Sequence, residues 1–371
     1  MGTIRQFIDD WRQRFRDAGI EDARLNVELL VAHVLGVSRG GVKARLDESL
    51  DLVHEAAIET LCDRRLSREP IDYILGEREF FGRKFQVQPG VLIPRPETEQ
   101  IIELAQSQLP ADTHGWAADI GCGSGALAVT LALEFPRLRV LATDLQPIPL
   151  VVTRRNAVTL GVADRVFCVR MDGLSAVSPA PLFDLIVSNP PYVTPQDYPT
   201  LQPEVRDHEP QEALVGGVGG VEIIERQIGE VAVRLKAGAS CYFEHGMEQG
   251  SELRDAAARA GLAQPHTEKD PAGRDRILVA RRLPMDFFAL VTLEFDDSVD
   301  SISRAMFAER LAEYSWRKVP GGWVIELEAR SRHGREGMVE NQLQLACQYA
   351  RFERGALKAT VKFTDEEPSQ A

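Results

Sequence analysis

Between residues 115 and 282 short apolar runs alternate with helical patterns, and this alternation constrains the fold more than any other feature of the chain. Trp116 to Ile120, Arg139 to Thr143, Val166 to Met171, Leu182 to Val187 and Ser240 to Glu244 read as strands. Ala126 to Glu134, Leu150 to Leu160 and Gly220 to Leu235 read as helices. Strands separated by helices close right-handed crossovers, so the expected core is an α/β, Rossmann-like sheet, mostly parallel, with helices on both faces. Such sheets bind ligands outside the carboxyl ends of the strands, near the point where the strand order reverses.

Two features belong to that rim. Asp119-Ile120-Gly121-Cys122-Gly123-Ser124-Gly125 follows a strand and opens a helix. Glycines there permit a tight turn and close approach of backbone to a ligand. Asp144 closes the next strand, where a carboxylate can accept both hydroxyls of a ribose. The spacing is G-x-G-x-G, not the G-x-G-x-x-G of a dinucleotide site. No pyrophosphate has to sit on the helix N-terminus, which tilts the reading from NAD toward S-adenosylmethionine. Asp172-Gly173 follows the third strand, and an acid there can bond an adenine amino group. A plain Asp-Gly surface turn accounts for those two residues nearly as well.

The strongest signal is Asn189-Pro190-Pro191-Tyr192, just past the apolar strand Asp184-Leu185-Ile186-Val187-Ser188. An amide or aromatic amine nitrogen is a poor nucleophile because its lone pair is delocalised. To attack a sulfonium methyl it must be held in line and lose conjugation. Two acceptors do this: the Asn189 side-chain oxygen and the Pro190 backbone carbonyl, each taking one N–H. The prolines stiffen the loop and keep the carbonyl aimed. Tyr192 can stack on the planar group. Positive charge developing on nitrogen strengthens both hydrogen bonds in the transition state. The proton becomes acidic once the methyl has moved, so no strong base is required, and His208 and His245 are expected to be structural.

Other segments frame this core. Residues 1–75 read as a helical bundle, with Ile4, Phe7, Ile8, Trp11 and Phe15 on one stripe and Leu25, Leu29, Leu30, His33 and Val34 on a second. Residues 76–114 hold a hairpin near Phe80 to Gly90 and a helix from Glu99 to Gln108, with Thr98 as its expected N-cap. The S-adenosylmethionine-dependent methyltransferase domain is expected over 115–283 and a small C-terminal α+β domain over 284–364. An acidic tail, 365–371, is expected to be disordered.

The 371 residues carry a formal net charge of −13. Grip on a phosphate backbone comes from Lys and Arg, so direct nucleic-acid binding is not expected. Five cysteines without a C-x-x-C pair suit a reducing compartment and give no zinc or disulfide framework, and no metal is expected. There is no signal-peptide core or membrane-length apolar run, so the expected location is the cytoplasm.

Asn189 to Tyr192 occurs together with Leu92-Ile93-Pro94-Arg95-Pro96-Glu97-Thr98-Glu99 and Tyr73-Ile74-Leu75-Gly76. Glu79-Phe80-Phe81-Gly82, Glu204-Val205-Arg206-Asp207-His208-Glu209-Pro210 and Ala272-Gly273-Arg274-Asp275-Arg276 accompany them. Over most of residues 20–282 the chain thereby resembles the peptide chain release factor N5-glutamine methyltransferases. The resemblance implies a class I methyltransferase sheet, S-adenosylmethionine as cofactor, and a class 1 release factor as partner, modified on the glutamine of its Gly-Gly-Gln tripeptide. It implies that Asp119, Ile120, Gly121, Cys122, Gly123 and Asp144 meet the methionine and ribose of the cofactor. Gly173 and Asn189 complete that pocket, and Asn189, Pro190, Pro191 and Tyr192 hold the glutamine amide. Sister enzymes acting on a ribosomal protein share Asn-Pro-Pro-Tyr but differ around Pro94 to Glu99. A DNA amino-methyltransferase and a non-catalytic binding module are further alternatives. The chain departs from the family pattern at Gln146-Pro147-Ile148-Pro149, at Gly173 and at Gly219-Gly220-Val221.

Overall fold

Thr3 caps the first helix, α1 (Ile4–Asp17): its hydroxyl accepts the Gln6 N–H, and the Gln6 side chain returns to the Thr3 N–H. The expected stripe of α1 is its buried face. Helix α2 (Ala23–Leu35) turns otherwise than expected. It buries Ala23, Val27, Leu30 and Val31, while His33 is exposed and Leu25 and Leu29 are half-buried. Polar partners decide this rotation, because Asn26 and Glu28 of α2 are buried among arginines. Helices α3 (Arg39–Ala44), α4 (Leu52–Leu66) and α5 (Ile71–Leu75) complete the bundle. The hairpin follows as β1 (Glu77–Phe80) and β2 (Arg83–Gln86), then helix α6 (Glu99–Gln108).

The central sheet is built from β3 (Gly115–Ile120), β4 (Leu138–Asp144), β5 (Val166–Arg170), β6 (Phe183–Ser188), β7 (Leu235–Glu244), β8 (Ala263–Lys269) and β9 (Asp275–Arg281). Its order is β5-β4-β3-β6-β7-β9-β8. The strands from β5 through β7 are parallel, and β9 and β8 add an antiparallel edge that the alternating pattern did not predict. The chain steps outward from β3 to β5 and then crosses back to β6 on the other side of β3. The switch point therefore lies between β3 and β6. Helices α7 (Ala126–Glu134), α8 (Pro147–Thr159), α9 (Pro203–Arg206), α10 (Glu222–Ala232) and α11 (Gly250–Arg259) connect the strands. Leu185, Ile186 and Val187 of β6 are fully buried. Each contributes on the order of 1.5–3 kcal/mol by leaving water.

The computed structural model describes residues 2–283, 286–295, 297–313, 316–319, 322–328, 339–340, 343–344 and 357–364. The chain divides into two compact units, Met1–Arg282 and Leu283–Ala371. In the second, β10 (Asp286–Phe295), β11 (Arg317–Val319), β12 (Gly322–Glu328) and β13 (Leu357–Thr364) form an antiparallel sheet of order β11-β12-β10-β13, and helix α12 (Ser301–Glu313) joins β10 to β11. Phe307 and Leu311 of α12 share its core with Val291 and Leu357. The tail at 365–371 lies outside the described residues. No helix among the described residues is long and apolar enough to cross a membrane.

Candidate active site

The carboxyl ends of β3, β4, β5 and β6 meet around one cavity of about 310 Å³. That volume suits a small-molecule cofactor. Asp119, Ile120, Gly121, Cys122, Gly123, Asp144, Asp172, Gly173, Asn189 and Pro191 all line it. Pro190 is buried and Tyr192 half-buried, and neither is in the lining, although Asn189 and Pro191 between and beside them are. Leu92, Pro94 and Thr98 reach the cavity from the linker that precedes α6, a contribution that strand periodicity does not reveal.

The glycine loop turns back under the end of β4. Gly121 N–H and Cys122 N–H both donate to the Thr143 carbonyl. Gly121, Gly123 and Gly125 all have positive φ, and space is open where a Cβ on Gly121 or Gly123 would stand. Backbone at these two positions is therefore bare to an incoming ligand. Asp144 accepts Gly123 N–H at 3.2 Å and Gln146 N–H at 3.0 Å, one on each carboxylate oxygen. Each oxygen keeps acceptor capacity for a diol. Helix α8 starts at Pro147, three residues before the periodicity placed it, because proline in a first turn forfeits no intrahelical bond.

Asp119 is the most unusual group in the cavity. One carboxylate oxygen accepts Ala128 N–H at 3.0 Å, while the other, Oδ1, is buried with no partner. Complete burial pushes its carboxyl up to about 7; the Asp144 charge adds to this and the Ala128 N–H opposes it. An orphaned buried acceptor beside a cavity calls for a ligand that brings a donor or a cation. S-adenosylmethionine carries both an ammonium and a ribose diol, so Asp119 and Asp144 fit it. Asp172 is less available than expected, since Arg226 takes its carboxylate at 2.6 Å. Gly173 has φ +57°, and a Cβ there would stand 2.4 Å from the Glu230 carboxylate, which accepts Leu174 N–H. The positive φ, together with this close approach, accounts for a glycine at this position.

The loop after β6 is locked from several sides. Ser188 Oγ donates to the Ile120 carbonyl at 2.7 Å, joining β6 to β3 at the switch point. Asn189 Nδ2 donates to Thr98 Oγ1 at 3.0 Å, and Thr98 donates in turn to Glu244 Oε2 at 2.5 Å. Thr98 is thus no helix cap: its hydroxyl makes no capping bond to α6. Tyr192 OH donates to the other oxygen of Glu244 at 3.2 Å. Burial raises the Glu244 carboxyl, opposed by the Thr98 hydroxyl, the Arg276 charge and the Tyr192 hydroxyl. Gln249 Nε2 holds the Tyr192 carbonyl at 2.9 Å. A Cβ on Gly216 would stand 2.4 Å from the Pro191 carbonyl oxygen, so the glycine-rich segment 216–220 packs directly on this loop. His245 is buried, with Nδ1 on the Gly246 carbonyl. His208 reaches the Ser67 carbonyl at 3.3 Å.

The segments flanking the motif act as braces. Glu209 accepts Ile93 N–H at 3.0 Å and pairs with Arg95 at 2.6 Å. Glu99 accepts Phe81 N–H at 2.9 Å, tying α6 to the hairpin. Glu204 pairs with Arg65 and Arg68, both at 2.8 Å, joining α9 to the N-terminal bundle. Sequence alone showed these acids as part of a pattern without saying what they hold.

Comparison with known proteins agrees with this geometry. A PrmC N-terminal domain profile matches residues 6–76 and a methyltransferase small domain profile matches residues 96–204. The release factor glutamine methyltransferase of Bordetella pertussis is 40% identical over 254 residues, 68% of this chain and 93% of that one. That of Geobacter sulfurreducens is 38% identical over 282 residues, 75% and 96% respectively. That of Moorella thermoacetica is 36% identical over 281 residues, 76% and 99%. Fold and rim together define a class I, S-adenosylmethionine-dependent methyltransferase. Within that class, the chain belongs to the release factor glutamine methyltransferase family.

Proposed function

We propose that this chain transfers a methyl group to the side-chain amide nitrogen of the glutamine in the Gly-Gly-Gln tripeptide of class 1 release factors. The carrying observation is that Asn189 lines the same cavity as Asp119 and Asp144 while Thr98 occupies its amide nitrogen. Its oxygen is left to accept a substrate N–H. S-adenosylmethionine supplies an electrophilic sulfonium methyl. Asn189 Oδ1 and the Pro190 carbonyl take the two amide hydrogens and direct the nitrogen lone pair at that methyl. Tyr192 flanks the amide plane, its ring steadied through the Glu244 bond. Positive charge developing on the substrate nitrogen would strengthen the hydrogen bonds to both acceptors. The amide then loses one proton to water. Asp119 and Asp144 would hold the donor, and the bare backbone at Gly121 and Gly123 would leave room for it. A release factor substrate places the reaction in the cytoplasm.

Mass spectrometry of purified release factor, ribosomal proteins and DNA after incubation with labelled cofactor tests the reading. One methyl on the Gly-Gly-Gln glutamine is expected, and label confined to ribosomal protein or DNA would reverse it. Asn189→Ala is expected to lower kcat by about 100-fold or more, the scale for losing one aimed hydrogen-bonding group at a reacting centre. Undiminished turnover in that variant would remove Asn189 from its role.

A further inference from the structure

Asn189 can serve as an acceptor only if its amide stays the right way round. The two ends of an Asn side chain are alike in shape and opposite in hydrogen-bonding sense. Turned over, it would present an NH₂ to the substrate NH₂, and the alignment would be lost. Resting on the reading above, we propose that Glu244 and Thr98 are positioning residues that set the orientation of the Asn189 amide.

The argument is one of hydrogen-bond direction. Glu244 is 1% exposed and Thr98 4%, so water does not scramble the network. Glu244 receives two hydroxyls, Thr98 on one oxygen and Tyr192 on the other. The two hydroxyls and the Arg276 charge favour its ionised form against the burial that raises its carboxyl. A carboxylate only accepts. Thr98 has a single hydrogen and spends it on Glu244, so toward Asn189 its oxygen can only accept. Asn189 must therefore turn its NH₂ to Thr98 and keep Oδ1 free. The same carboxylate fixes the Tyr192 hydroxyl, so one buried acid orients both side chains of the motif. Glu244 stands outside the cavity lining, and Thr98 reaches the cavity beside Asn189.

Glu244→Gln keeps the shape and breaks the direction. A Gln side chain offers one oxygen and one NH₂. If the NH₂ faces Thr98, the Thr98 hydrogen is released to Asn189 and the amide turns over. If it faces Tyr192, the phenol loses its acceptor. Thr98→Val removes the relay with little change in volume, and Thr98→Ser retains it.

The test is steady-state methylation of release factor, with cofactor affinity by calorimetry as the check on folding. Glu244→Gln and Thr98→Val are expected to lose about 100-fold in kcat, the scale of a misaimed reacting group. The KM for release factor and the cofactor Kd should stay within about threefold, and Thr98→Ser should lie within about threefold of the parent in kcat. A role limited to holding up the fold would instead weaken cofactor and substrate binding together with kcat. Should Glu244→Gln fail to bind cofactor, the Val and Ser variants at Thr98 decide alone. Parent-like kcat in Thr98→Val, or equal losses in Val and Ser, overturns the proposal. The Asn189→Ala variant separates the two readings: if it stays active the underlying reading fails, and if it is inactive while Thr98→Val is not, only the positioning role fails.

Discussion

At the scale of single residues, the site combines a charge that lacks a partner with glycines that leave no room. Asp119 holds a proton up to about pH 7 in the free protein. A ligand that places a cation near Oδ1 binds the ionised form, so below that pH binding must first expel the proton. The sign follows: cofactor affinity falls as pH drops below about 7, by up to about tenfold per unit, and is flat above it. Calorimetry from about pH 5.5 to about pH 8 should show this slope in the parent and its loss in Asp119→Asn. Gly216 poses a steric limit. A methyl there would meet the Pro191 carbonyl at 2.4 Å, and the rigid proline loop would have to move. Gly216→Ala is expected to lower kcat by about 100-fold while cofactor affinity changes little, which the same calorimetry and methylation assay can separate.

Among the elements, short helices and linkers brace the bundle against the sheet. Helix α9 reaches the bundle through Glu204, whose side chain is 15% exposed against 7% for Arg65. Burial tends to raise the Glu204 carboxyl, but the arginine pairs win and its pKa is lowered. A carboxyl lowered in the folded state stabilises above its unfolded pKa and loses that contribution as pH falls through the folded value. Removing one partner of a largely buried pair leaves uncompensated charge. Glu204→Ala is therefore expected to cost roughly 3 kcal/mol in urea unfolding monitored by tryptophan fluorescence, and the loss should shrink in acid. The helices and parallel strands around the site were legible in the sequence, because apolar spacing is a local property. The antiparallel pair β8 and β9 was not. Ala263 to Lys269 alternates weakly and is half-exposed, so its strand state depends on pairing with β9.

At the scale of the molecule, every residue lining the cavity lies within the unit Met1–Arg282. A chain ending at Arg282 is expected to bind S-adenosylmethionine within about twofold of the full chain and to methylate release factor, as calorimetry and mass spectrometry can check. The alignments cover 93–99% of three relatives but only 68–76% of this chain, which is longer than they are.

The α/β plan, the glycine turn after β3, the acid at the end of β4 and the proline-stiffened loop Asn189 to Tyr192 could all be read along the chain. Each is a matter of neighbours along the chain: periodicity, proline stiffness, glycine freedom. Only the tertiary structure decided what Thr98 and Glu244 do. Thr98 stands 91 residues from Asn189 and 146 from Glu244. Read locally, Thr98 before a helix is a cap. Its hydroxyl has one hydrogen, however, and a buried carboxylate brought up by the order of the sheet is a stronger acceptor than any group in its own helix. The direction of that bond, and with it the working orientation of Asn189, exists only once the strands are side by side.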